Sequence, residues 1–188
     1  MASTLILVAL ESELTAGALP SSLPVIYTGV GKVNAALATQ RAIAEHRPTR
    51  IINFGTAGKI ASHHHGLVRV ARVIQRDMNA EPLAPRGITP LMAGPHHFLS
   101  GDDGVTCGTG DSFVTSRDEW LHDNAVDIVD MELFAIAAAA HHSQVPWSAY
   151  KFISDDANEG AADDWQAKVN HGEVLFLEAL DRLGMLKG

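Results

Sequence analysis

Apolar positions along this chain fall into short unbroken runs that alternate with segments of helical period. The run from Thr4 to Ala9 has the length of a buried strand, and Glu11-Ser12-Glu13-Leu14 follows it as a turn or short helix, which sets Glu13 near a strand's exit. Pro24 to Thr28 is a second apolar run. Gly29-Val30-Gly31 breaks it, and the helix predicted next carries Val33, Ala36, Leu37, Ile43 and Ala44 on one face. Arg50 to Phe54 is a further strand, predicted to end in a Gly55-Thr56-Ala57-Gly58 turn, and Leu67 to Ile74 alternates as a partly exposed strand does. Between Asn79 and His97 the prolines at 82, 85, 90 and 95 and the weak periodicity predict a long excursion, and long loops inside compact domains are often functional. Gly104 to Gly108 and Val126 to Asp130 resume the strands, Glu132 to His142 is an alanine-rich helix, and Trp147 to Ile153 is the last strand. A closing helix, Asp163 to Leu183, is expected to bury Val174, Leu177 and Leu180. Strand and helix alternate throughout, which predicts an α/β fold: three αβα layers with a mixed, twisted central sheet covered on both faces.

Composition narrows the classes. The 188 residues are 46% hydrophobic and 19% charged, with no internal repeat or low-complexity segment, so one domain over residues 1–188 is the expectation. Lys and Arg total 14 against 22 Asp and Glu, a formal charge of −8, and no basic cluster stands ready to neutralise phosphates; nucleic acid is not an expected partner. The single cysteine, Cys107, excludes an internal disulfide and a cysteine metal cage and fits a reducing, cytoplasmic setting. The start, Met1-Ala2-Ser3-Thr4, has no basic leader, and no apolar run approaches the ~20 residues of a membrane span, so no membrane association is expected.

The candidate chemistry is acidic. Val129-Asp130-Met131-Glu132 opens the alanine-rich helix, and Ile153-Ser154-Asp155 ends the following strand. Carboxylates at two successive strand ends can face one cleft, where one holds a polar substrate and the other moves a proton. An isolated acid in such a place is more often a helix cap or a loop charge, and Asp130, Glu132, Asp155 and Asp156 each admit that reading. Their joint setting favours chemistry: alanines from 135 to 140 let the helix lie close to the sheet, which leaves Glu132 partly buried and in need of a polar partner such as a sugar diol. The glycine turns suggest anion loops, yet Gly29-Val30-Gly31-Lys32 lacks the third glycine of a dinucleotide fingerprint and has Ile26 where a phosphate-binding loop needs glycine. His63-His64-His65 cannot all face one metal, and no metal or cofactor is expected.

In chain order these segments resemble the nucleoside phosphorylase and nucleosidase superfamily, specifically its methylthioadenosine/S-adenosylhomocysteine nucleosidase branch. The resemblance rests on Ala9-Leu10-Glu11-Ser12-Glu13-Leu14, Gly29-Val30-Gly31-Lys32-Val33-Asn34-Ala35-Ala36, Ile52-Asn53-Phe54-Gly55-Thr56-Ala57-Gly58, Gly110-Asp111-Ser112-Phe113-Val114, Val129-Asp130-Met131-Glu132 and Ile153-Ser154-Asp155. It implies hydrolysis of the N-glycosidic bond of a 5′-modified adenosine. On that resemblance Asp155 protonates N7 of the departing purine, because an anionic purine leaves poorly; Glu132 holds the ribose hydroxyls beside Met131; and Glu13 positions and deprotonates the attacking water. Phe113 stacks on the base, the Val114 backbone reads its edge, Thr56, Ala57 and Gly58 line the pocket, and Ser154 sits beside the acid.

Related phosphorylases carry an arginine just before the glycine loop where this chain has Asn53-Phe54, which favours water over phosphate as nucleophile. A phosphorylase of the same fold and a catalytically silent nucleoside-binding protein remain as alternatives. The chain departs from the pattern in being short between Glu13 and Thr28 and from Asn79 to Asp102, and in Lys151 for a frequent arginine, Arg76 for a usual histidine and Asn158 where an acid is common. Members of the branch are homodimers, and the resemblance assigns the stretch from Pro82 to Met92 to closing the partner's 5′ pocket.

Overall fold

Strands form where β-branched and aromatic residues cluster: β1 (Thr4–Val8), β2 (Val25–Tyr27), β3 (Arg50–Lys59), β4 (Leu67–Gln75), β5 (His97–Leu99), β6 (Val105–Thr109), β7 (Ile128–Asp130) and β8 (Trp147–Asp155). Among the described residues five α-helices intervene: α1 (Lys32–His46), α2 (Glu119–Asp123), α3 (Leu133–His142), α4 (Ala161–Lys168) and α5 (Gly172–Arg182). The computed structural model describes residues 3–158 and 161–186, so Met1 and Ala2, part of the start read above, lie outside it.

The strands make one eight-stranded mixed sheet built from two parallel runs. β2, β1, β3 and β8 are parallel neighbours, and so are β4, β6 and β7. The runs join antiparallel twice, β3 to β7 and β4 to β8, so that the sheet curls into a closed ring, with β5 antiparallel on the outside of β4. Period-two alternation assigns the faces. Along β1, Leu5 and Leu7 enter one core with Ala35, Ala42, Leu133 and Ile136 of α1 and α3. Ile6 and Val8 enter the other with Phe176 and Leu180 of α5. Phe176 stacks on Phe54 of β3 at 4.3 Å between centroids, and full burial of one such ring contributes about 1.5–3 kcal/mol.

Three local expectations are corrected. Val33 and Leu37 of α1 are 69% and 68% exposed, and the buried positions are Ala35, Ala38, Thr39 and Ala42. α1 packs on the alanine-rich α3, and such a close approach selects small side chains for the contact and turns the large ones outward. The Gly55-Thr56-Ala57-Gly58 segment is not a turn: it lies inside β3, with the register to β8 shifting between Ala57 and Gly58. The closing helix is two helices, broken before Gly172, and Val174 is 62% exposed while Phe176 takes the buried place. The short α2 was not anticipated. The excursion from Asn79 to His96 contains no helix or strand beyond an isolated bridge between Ala80 and Ala84. Among the described residues no helix is long and apolar enough to cross a membrane.

Candidate active site

The carboxyl ends of β1, β3, β4, β6, β7 and β8 surround one cavity of about 290 Å³. The strands stop at that end and the loops that follow them leave room for a ligand. Glu13, Glu132 and Asp155 enter it from three different strand exits. Thr56, Ala57 and Gly58 form its β3 wall, Phe113 and Val114 its β6 side, and Met131 and Ser154 complete the set expected from sequence. All of those residues therefore border a single space.

Each acid is held differently. Glu13 is buried just after β1; its Oε2 accepts from Leu10 N at 3.1 Å, and its Oε1 accepts from both N and Oγ1 of Thr56 at 2.8 Å. Glu132 ends the β7 exit and accepts at Oε1 from Gly31 N, 2.9 Å away. Gly31 has a φ of 92°, a conformation glycine adopts without strain, and that turn aims its N–H at Glu132 from the start of α1. Burial and the neighbouring Asp130 charge push the Glu132 carboxyl up to about 7, against the opposing pull of Lys151 and the Gly31 N–H.

Asp155 accepts from Ser154 Oγ at 2.8 Å and from Ala157 N at 2.9 Å. Burial raises its carboxyl above the ordinary value despite those two donors, with Asp164 and Asp156 adding to the shift. Gly58 makes room for it: a Cβ there would stand 2.5 Å from Asp155 Oδ1. Asp156, by contrast, is exposed and pairs with Lys59 at 2.8 Å.

Asp130 also borders the cavity, but its carboxylate is occupied by protein donors. Lys151 Nζ lies 2.8 Å from its Oδ2, which also accepts from Leu133 N at 2.9 Å at the start of α3. Thr109 Oγ1 and the Cys107 thiol donate to its Oδ1. Burial alone would raise the Asp130 carboxyl; the Lys151 charge and these donors outweigh it and hold the group below the ordinary carboxylate range. Asp130 is thus a buried scaffold acid that ends β7 and receives one N–H from the start of α3, whose N-cap position is Glu132.

Two cavity residues escaped the sequence reading. Trp165, on α4, donates from Nε1 to Thr56 Oγ1 at 2.8 Å and meets Phe113 edge-on at 6.5 Å. The signal was an isolated tryptophan in a charged helix, obscured by fusing α4 with α5. Arg76, at the end of β4, was noted only as a departure. Its guanidinium donates to the carbonyls of Gly108, Gly110 and Ser112, which braces the loop carrying Phe113. Lys32, beside the glycine turn, is held by Asp77. The Asn53 side chain is buried in the sheet and donates to Leu7 O at 2.9 Å. His64 lies 3.4 Å from Asp127, away from the cavity lining, and no cluster of metal-ligating side chains occurs among the described residues.

The sequence profile of the phosphorylase superfamily matches residues 13–100 and 102–183. The 5′-methylthioadenosine/S-adenosylhomocysteine nucleosidase of Shewanella sediminis (strain HAW-EB3) is 29% identical over 196 aligned residues, covering 89% of this chain and 85% of that protein. The S-adenosylhomocysteine nucleosidase of Streptococcus pyogenes, solved with 5-methylthiotubericidin, superposes with a TM-score of 0.76 at 26% identity, covering 89% of this chain and 90% of that one. Futalosine hydrolase of Helicobacter pylori strain 26695 superposes with a TM-score of 0.85 at 20% identity over 96% of this chain and 97% of that one, a likeness of fold. With the profile covering nearly the whole chain, this protein belongs to the phosphorylase superfamily.

Proposed function

We propose that this chain, working as a single cytoplasmic domain, hydrolyses the N-glycosidic bond of a 5′-modified adenosine of the methylthioadenosine or S-adenosylhomocysteine type, releasing adenine and the thioribose product. The observation that carries the reading is the convergence of Glu13, Glu132 and Asp155 on one cavity beside an aromatic ring, Phe113. Asp155, raised by burial, is the acid that delivers a proton to the leaving purine. Glu132 holds the ribose hydroxyls next to Met131, and its charge stabilises the positive sugar of the transition state. Glu13, fixed by Thr56 and Leu10, orients the water and takes its proton.

Water is favoured over phosphate by the cations. Among the described residues Arg76 is the one arginine or lysine in the cavity lining, and its guanidinium is engaged with loop carbonyls. A phosphate dianion there would meet carboxylates instead of free donors.

The same reading makes the chain a homodimer. The outward Val33 and Leu37 of α1, with Leu83, Leu91 and Met92 of the excursion, are apolar surface suited to a partner copy. Sedimentation equilibrium then gives twice the chain mass.

The deciding measurement is release of free base from methylthioadenosine, S-adenosylhomocysteine, adenosine and inosine, with and without phosphate. Base and free sugar appearing without phosphate is the expected result; release only with phosphate moves the activity to phosphorolysis, and binding without release makes the protein a silent binder.

A further inference from the structure

Arg76 is 5% exposed, and its guanidinium is spent on the backbone of a single loop. Nε donates to Gly108 O at 3.2 Å, Nη2 donates to Gly110 O at 2.9 Å and to Ser112 O, and Nη1 lies 3.4 Å from Ser112 Oγ. A buried guanidinium needs such partners, and its fork of fixed donors holds several acceptors in one geometry more firmly than neutral donors do. The backbone of Arg76 is itself fixed: its N–H donates to Thr109 O at 2.9 Å, and its carbonyl accepts from Arg86 Nε at 2.6 Å. Gly110 admits the close approach, since a Cβ there would stand 2.9 Å from Arg76 Cζ and 3.0 Å from its Nη1.

The loop is anchored at both ends without Arg76. Asp111 N donates to Asp77 Oδ2 at 2.9 Å, and Lys32 N donates to Asp111 Oδ1 at 2.8 Å. At the far end Arg86 donates to both carboxylate oxygens of Asp118, at 3.1 and 2.6 Å. What Arg76 adds is the direction of the peptide between Ser112 and Phe113. A peptide is planar and trans, so a Ser112 carbonyl drawn to Arg76 turns the Phe113 N–H the opposite way and sets how the Phe113 ring and the Val114 backbone leave the loop. Both of those residues border the cavity.

We propose that Arg76 is a positioning residue for the purine: by holding the Ser112 carbonyl it sets the Phe113 ring and the Val114 backbone against the base, and so governs affinity for the base instead of the bond-breaking step. The inference deepens the hydrolase reading and rests on it for the ligand, while the geometry of Arg76 and its loop stands without it. Glu13, Glu132 and Asp155 take their hydrogen bonds from Leu10, Thr56, Gly31, Ser154 and Ala157. Loss of the guanidinium therefore leaves the partners of all three acids in place.

Two readouts test this, one of them without any ligand. In Arg76→Met, which keeps most of the side chain's length and removes every donor, backbone amide hydrogen exchange over residues 112–115 quickens at least about tenfold while exchange in β3 and β8 is unchanged. With methylthioadenosine, KM for base release rises at least about tenfold and kcat stays within about threefold, because the lost contact serves ground state and transition state alike. A loss of stability with KM unmoved makes Arg76 a structural brace and overturns the proposal. So does a fall in kcat with KM unmoved, or loop exchange identical to that of the unsubstituted protein.

Gly110→Ala reaches the same contact from the other side and keeps Arg76. Gly110 has no positive φ, so alanine brings only its Cβ, and the atoms it meets belong to the flexible end of the Arg76 side chain. This variant should raise KM about three- to fivefold with kcat and melting temperature unchanged. Should Arg76→Met fail to fold, Gly110→Ala decides, and an unmoved KM with unmoved loop exchange overturns the proposal. If no nucleoside releases base, the hydrolase reading falls and calorimetric affinity for adenine takes the place of KM: weakening of at least about tenfold in Arg76→Met supports the inference, and unchanged affinity removes it. Base release with KM unmoved in both variants removes the Arg76 inference and leaves the hydrolase standing.

Discussion

At the exit of β7 the Asp130 carboxylate accepts from Lys151, Thr109, Cys107 and the start of α3, whereas at the exit of β8, among the described residues, the Asp155 carboxyl accepts from its neighbours Ser154 and Ala157. Both acids are buried and both border the same cavity. The cation makes the difference: beside Lys151 burial is overruled and the acid falls below its ordinary range, and without a cation burial prevails and the acid rises. One fold thus keeps a permanent anion as scaffold and a proton-holding acid as reagent on two strands that flank β3, the separation of roles that acid–base chemistry needs.

The sharpest way to break that comparison is to neutralise each acid in turn. Asp155→Asn should lower kcat for base release by about 10²–10⁴-fold, the usual worth of a general acid, while nucleoside affinity by calorimetry changes little. A loss confined to affinity would return Asp155 to the capping reading. Asp130→Asn should act on stability: leaving Lys151 buried and unpaired costs about 3–5 kcal/mol, read as a lower denaturant midpoint. Replacing both members, as Lys151→Met/Asp130→Asn, should recover much of that loss, because a buried pair and a well-packed neutral pair are often of similar stability.

The sign of the pH dependence follows from Glu132. Its folded value of about 7 stands above the ordinary 4.5, so the folded chain keeps a proton that the unfolded chain releases. The proton's contribution to stability is complete below about 4.5 and is lost as pH rises through about 7, and Glu132→Gln should abolish that slope in denaturation midpoints measured from pH 5 to 8.

The contrast between the two acids was only half legible in the sequence. Strand-end positions and local neighbours were readable, and they carried Asp155, Glu132, Glu13 and the αβα layering into the expected places. Nothing near Asp130 announced that it would be saturated, because Thr109, Cys107 and Lys151 reach it only through the pairing of β6 with β7 and the curling of β8 toward the same ring. Side-chain size misled the reading of α1, where close packing on α3 put Ala35 and Ala38 inside and Val33 outside. The helix break before Gly172 was present as Asn170-His171-Gly172, an end signal that the long apolar period overrode, and Trp165 was lost with it.

Geometry around the acid supplies a smaller perturbation than removing it. Gly58→Ala would place a Cβ 2.5 Å from Asp155 Oδ1 and force the carboxyl to move, and misplacement of about 1 Å is enough to cost roughly 100-fold in kcat. The fold should tolerate it, so an unchanged melting temperature with a reduced kcat is the expected pair of results.

Trp165 offers the mildest test. Its Nε1 donates to Thr56 Oγ1, which in turn donates to Glu13, so the ring both walls the pocket and holds the hydroxyl that steadies the water-facing carboxylate. Trp165→Phe keeps most of the apolar wall and deletes only the N–H, a loss of about 1 kcal/mol and so about fivefold in kcat/KM. Trp165→Ala should add a rise in KM from the missing wall. If Trp165→Phe lowers kcat while leaving KM alone, the hydrogen bond acts through Glu13 on the reacting water; if KM alone rises, Trp165 is a wall and Glu13 is held well enough by Leu10 and the Thr56 backbone.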